Sequence, residues 1–173
     1  MNITKMLHQV IDLELAVDDT QELEIGPRVR QQTIFTALDV ELAKLADCAG
    51  WFNVLANHDR DQAGMLQHYV ISLELLLLYS AKRQWTHLVV LDDETMKRIC
   101  SADQSTKLAD LNKEYLAIKH FLQGGFYSNR QDDFRHAWHL LLKMGLVDFQ
   151  LTDQQIVAAY EQQIQAQQQQ WAQ

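Results

Sequence analysis

Apolar residues recur three and four positions apart along most of the chain, the spacing that lays a single apolar stripe along a helix. Ile3, Leu7, Val10 and Ile11 predict a first helix over residues 3–17. After an acidic stretch and a break at Gly26-Pro27, Ile34, Leu38, Leu45, Phe52 and Leu55 predict a second over Thr33–Asn57. Residues 63–82 are apolar on nearly every side, through Tyr69-Val70-Ile71-Ser72-Leu73-Glu74 and the run Leu75 to Leu78, which marks a central, buried helix. Trp85 to Leu91 is the one segment that reads as extended. Asp92-Asp93-Glu94 suits the start of a short helix ending near Cys100. Leu108, Leu111, Tyr115, Ile118 and Leu122 belong to a further helix that Gly124-Gly125 should end. Asp132 to Met144 follows, with Gly145 as its expected cap. Thr152-Asp153-Gln154-Gln155 has the spacing of a capping box and opens the last helix. That helix runs into Gln167–Gln170, polar on every side, so a frayed tail is expected from about residue 165. The expectation is an all-α helical bundle forming one domain over residues 1–173, without internal repeats.

One acid interrupts this pattern. Glu41 falls at the centre of the second helix's apolar stripe, where an unpaired carboxylate must find a cation or take up a proton. Lys44 and Cys48 are its stripe neighbours one and two turns on. Lys44 at i, i+3 is the simplest partner.

Composition narrows the function classes. A chain of 173 residues can bury a real core. Its net charge of −8 disfavours nucleic acid as a partner, since contact with a phosphate backbone is driven by basic residues. Cys48 and Cys100 are too few for a disulfide framework and read as reduced thiols. Met1-Asn2-Ile3-Thr4-Lys5 lacks the cationic flank and apolar core of a secretion signal. The run Tyr69 to Tyr79 contains Ser72 and Glu74 and is too short to span a bilayer. A cytoplasmic protein with no membrane partner is expected.

Val40-Glu41-Leu42-Ala43-Lys44-Leu45-Ala46-Asp47, with Phe52 further on, resembles the first motif of the dimeric all-α dUTP pyrophosphatases, of the form V-E-L-x-E-L-A-N-E followed by aromatic residues. His68-Tyr69-Val70-Ile71-Ser72-Leu73-Glu74-Leu75 is similar to their second motif, E-Y-V-D-x-L-H-F. Lys143-Met144-Gly145-Leu146 through Ala159-Tyr160 resembles their closing helix. The resemblance covers most of the chain in order, and extends to the MazG-like all-α NTP pyrophosphatases. It implies a homodimer and the hydrolysis of dUTP to dUMP and pyrophosphate with Mg²⁺. The apolar circumference of Tyr69–Tyr79 also points to a second subunit.

The residues that would carry this chemistry differ. The family's acid pairs hold Mg²⁺ ions that bridge the phosphates and generate the attacking hydroxide. Glu41 matches the first acid, but Lys44 replaces the second, Cys48 a further glutamate, His68 the third acid and Ile71 the fourth. Glu161-Gln162-Gln163-Ile164-Gln165 stands where the family's closing-helix phosphate contacts lie. The expected protein is therefore a dUTPase-like one that has lost Mg-dependent hydrolysis and binds a nucleotide or a protein. The alternative is an active divergent dUTP or NTP pyrophosphatase, with Mg²⁺ held by Glu41 together with Asp47 or Glu74.

Further candidates are less specific. Trp51 and Phe52 could stack on a base, although aromatics at this spacing are more often core. Glu74 is expected to be a buried, paired acid, with Lys82, Arg83 or His68 as partner. His136 and His139 at i, i+3, with Asp132 and Asp133, form a weak zinc set without a fixed third ligand. Cys48 has no histidine at helical spacing to activate it as a nucleophile. No glycine-rich phosphate loop or Cys-x-x-Cys pair is present.

Overall fold

The computed structural model describes residues 1–21, 25–55 and 59–171. Among them are eight α-helices, one π-helical turn and no strand, so the protein is an all-α helical bundle. Helix α1 spans Ile3–Gln21 and buries Ile3, Met6, Leu7, Val10 and Leu13 along one stripe. Helix α2, Pro27–Ala49, starts with proline, whose missing N–H falls where the helix has no acceptor for it. It ends at Gly50, which takes the left-handed conformation (φ 70°) and returns its N–H to the Ala46 carbonyl. The stripe expected to continue to Asn57 is therefore cut short. Ile34, Leu38, Leu42 and Leu45 are buried, but Phe52 is exposed and Leu55 is 98% exposed. Residues 56–58, including the expected end at Asn57, lie outside the described residues.

Helix α3, Gln62–Lys82, is capped by Asp61, whose carboxylate accepts from Gly64 N–H at 2.9 Å. It is the central helix, packed against α1, α2 and the last helix. Trp85–Leu91 is not extended. Thr86–Val89 forms a one-turn helix, α4, because no strand among the described residues lies beside it to take its backbone groups. The turn satisfies them internally, and Trp138 Nε1 donates to the Val89 carbonyl at 3.0 Å. Helix α5, Asp93–Cys100, has Asp92 as its cap, accepting from Thr95 N–H at 2.7 Å. Acids in its first turn and Lys97 and Arg98 in its last complement the helix dipole.

Glycine placement accounts for two corrections. Helix α6, Leu108–Ser128, runs straight through Gly124-Gly125 and stops at Asn129, which is left-handed at φ 54°. These glycines serve packing: a Cβ on Gly125 would lie 3.2 Å from Phe134 Cβ on helix α7, Gln131–Lys143. Nor does Gly145 end α7 as a cap. It sits inside a π-helical turn, Met144–Asp148, where any Cβ would overlap the buried ring of Tyr69.

Helix α8 spans Asp153–Trp171. Its capping box is formed as expected: Gln155 N–H donates to Thr152 Oγ1 at 3.2 Å, and Thr152 N–H to Gln155 Oε1 at 2.9 Å. The helix continues past residue 165 to Trp171, with Gln167 tied to α3 and Trp171 packed on the core. No helix among the described residues is long and apolar enough to cross a membrane.

Candidate functional site

Helices α2 and α3 bring Glu41, Lys44 and His68 together. Lys44 Nζ donates to Glu41 Oε1 at 2.7 Å, and His68 Nδ1 donates to Glu41 Oε2 at 2.7 Å. Glu41 is 9% exposed, so its carboxylate has lost most of its water. That burial would raise its proton affinity, but the hydrogen bonds and charges of Lys44 and His68 outweigh it and hold Glu41 below its ordinary value. Glu41 is thus a fully engaged carboxylate at the seam of two helices.

Ile71, one turn beyond His68 on the same face of α3, is half-buried and has no atom to ligate anything. Cys48, two turns beyond Glu41, lies against the start of α3. A Cβ on Gly64 would stand only 2.8 Å from its Sγ. Burial, then Asp61 and Asp47, push the Cys48 thiol up, away from the reactive thiolate.

The compensating acids do not join this group. Asp47 is exposed and lies roughly 120° around α2 from Glu41 at about 100° per residue. Glu74 is separated from His68 by the same angle on α3 and turns toward α8. Its Oε1 accepts from Gln167 Nε2 at 3.0 Å, while Oε2 is shut off from solvent without a partner. Burial pushes the Glu74 carboxyl up to about 7, against the lowering effect of Gln167 and Gln163. Its expected cations are engaged elsewhere: Lys82 Nζ pairs with Glu14 at 2.5 Å, and Arg83 donates to Tyr79 Oη at 2.7 Å and lies over the Trp85 ring.

Trp51 and Phe52 fall beyond the end of α2 rather than on its stripe. Trp51 Nε1 donates to Asn112 Oδ1 at 2.9 Å, and its ring packs against Tyr115 and Phe149. It is a joint between the loop and α6, while Phe52 stays exposed. The expected zinc set is also spent. Asp133 pairs with Arg130 and Asp132 with Arg135, while His136 Nδ1 donates to the Asp132 carbonyl at 2.7 Å.

Whether the α2–α3 site suits a hard divalent cation can be tested on its donors. Mg²⁺ needs several oxygen ligands in near-octahedral order. Glu41 brings the one carboxylate of the group, both of its oxygens already accept N–H donors, and the Lys44 ammonium occupies the position of positive charge. The residues present do not fit Mg²⁺. Among the described residues, no three His, Cys, Asp or Glu side chains are placed to hold a metal.

A buried polar cluster escaped the sequence analysis. Lys143 Nζ lies 2.6 Å from Glu114 Oε1, 2.9 Å from Asp148 Oδ1 and 2.8 Å from Ser105 Oγ, at the π-helical turn. Burial and the adjacent Asp148 raise the Glu114 carboxyl's proton affinity, and Lys143 opposes them. One oxygen on each acid lacks a donor, which a proton held between the two carboxyls would supply. The only trace in the sequence is a lysine and an aspartate flanking Gly145. Ser105 and Glu114 come from distant turns. A cavity of about 410 Å³ elsewhere, between α3 and α8, is lined by Leu66, Val70 and Ala159 among glutamines and does not include Glu41. No family model, curated protein or solved structure matches the chain.

Proposed function

We propose that this chain is a dUTPase-like all-α protein that acts by binding a nucleotide or a protein partner, in the cytoplasm and as a homodimer, without Mg-dependent hydrolysis. The observation that supports it most is the saturation of Glu41 by Lys44 and His68. A triphosphate brings about four negative charges, which pyrophosphatases of this kind balance with metal ions held by clustered carboxylates. At the matching positions this chain supplies an internally neutralised Glu41–Lys44 pair, an imidazole and an isoleucine. Such a site cannot hold a metal against its hydration shell or lower the pKa of metal-bound water. The divergent-enzyme reading, with Glu41 joined by Asp47 or Glu74, has less support, because those acids point away from Glu41.

The experiment is a dUTP hydrolysis assay with Mg²⁺ or Mn²⁺, followed by magnesium calorimetry. The natural protein should release no pyrophosphate above background. Lys44→Glu, His68→Glu and Ile71→Asp together should create measurable Mg²⁺ binding. Robust hydrolysis by the natural protein, abolished by Glu41→Gln, would overturn the reading.

A further inference from the structure

A cavity of about 390 Å³ between α4, α5 and α7 is walled by His87, Arg98, Arg135, His136 and His139 against a single carboxylate, Asp92. In a chain of net charge −8 this is a local reversal of sign.

Two acids stand nearby, and each is already engaged within the protein. Asp92 is occupied as the cap of α5, accepting from Thr95 N–H. Asp132 holds Arg135 at 2.7 Å. Among the described residues no ion pair or side-chain hydrogen bond engages Arg98, which stands exposed at the end of α5. His136 is fixed by its bond to the Asp132 carbonyl and by stacking on Phe121 at 5.3 Å between centroids, leaving Nε2 as its unengaged polar atom. His139 Nε2 is closed off from solvent and has no partner. Burial first, then the charges of Arg98, Arg135 and His136, lower the proton affinity of His139. Cations crowded around one ring repel each other, and an anion placed among them relieves that repulsion. The same crowding disfavours a zinc ion at His136 and His139.

We propose that this cavity binds a phosphomonoester, its phosphate held by the Arg98 and Arg135 guanidiniums and by His136, and its organic part lying along Leu88, Val90 and Leu91. Guanidinium forks match phosphate oxygens. The volume lies near the lower end of ligand pockets, about 300–1,000 Å³, and leaves room for a small group beyond the phosphate. The inference does not depend on the reading of the Glu41 site.

The test is an NMR titration of the histidine ring signals with inorganic phosphate and with ribose 5-phosphate at constant ionic strength. Saturable shifts at His136 and His139, with exposed His8 on α1 unmoved, are expected. The titration midpoint of His139 should rise when the site is filled, and ribose 5-phosphate should bind more tightly than phosphate. Arg98→Gln, at an exposed position that leaves the core intact, should weaken binding about tenfold. A non-saturating drift shared with His8, or binding that Arg98→Gln leaves unchanged, would overturn the site. Phosphate binding as tightly as ribose 5-phosphate would overturn the ligand class.

Discussion

Glu41 shows how one residue can be read in advance and still be completed only by the fold. Its place on the α2 stripe and its i, i+3 lysine are local facts of one helix, and both appear in the sequence. The second donor, His68, lies 27 residues away and reaches Glu41 only when α2 and α3 pack. Replacing Glu41 with glutamine puts an amide donor against one of these two donors and should cost about 1–3 kcal/mol at neutral pH. The sign with pH follows from the lowered folded value. The charged form's contribution is complete above the ordinary value of 4.5 and fades as pH falls below it. Urea unfolding at about pH 7 and about pH 3.5 should therefore show the gap between wild type and Glu41→Gln shrinking in acid. An unchanged gap would mean that Lys44 and His68 do not hold a charge.

Between elements, the glycines were the hardest residues to place. Gly50, inside the helix expected over Thr33–Asn57, ends α2, whereas Gly124, Gly125 and Gly145 read as stops and are not. Those three admit a partner's side chain, and that demand comes from the neighbouring helix rather than from their own. The α3–α8 contact has a similar hidden term in Glu74. Between its ordinary 4.5 and about 7, the folded protein keeps a proton that the unfolded chain gives up. Stability therefore falls as pH rises through that window and levels off above it. Glu74→Gln removes the slope and keeps the acceptor for Gln167. Relative to wild type it should gain at most roughly 3 kcal/mol between about pH 5 and about pH 8. Thermal unfolding across this range checks it, and parallel curves for the two proteins would contradict it.

For the molecule as a whole, α3 is apolar around its circumference, but one chain covers most of it. Tyr69, Val70, Leu73, Leu76, Leu77 and Tyr79 are at most 1% exposed. Ile71, Leu75 and Leu78 remain half-buried, at the i, i+4, i+7 spacing of one stripe that continues from His68. The homodimer proposal now rests on this strip rather than on the whole helix. Sedimentation equilibrium at micromolar concentration should return twice the chain mass. A single-chain mass would remove the second subunit from the reading.

Helical periodicity, the Thr152 capping box and the Glu41–Lys44 pair belong to interactions within a few residues, and the sequence alone determined them. Tertiary packing decided that α6 runs on through its glycines, which face of α3 meets α8, and that Trp51 joins α6. It also assembled Glu114, Lys143 and Asp148 around one shared charge balance, and gathered Arg98, Arg135 and three histidines in a chain whose net charge is negative. Net charge sums over the whole surface and periodicity sees one helix at a time. Clusters built from distant turns become visible only when the helices are in contact.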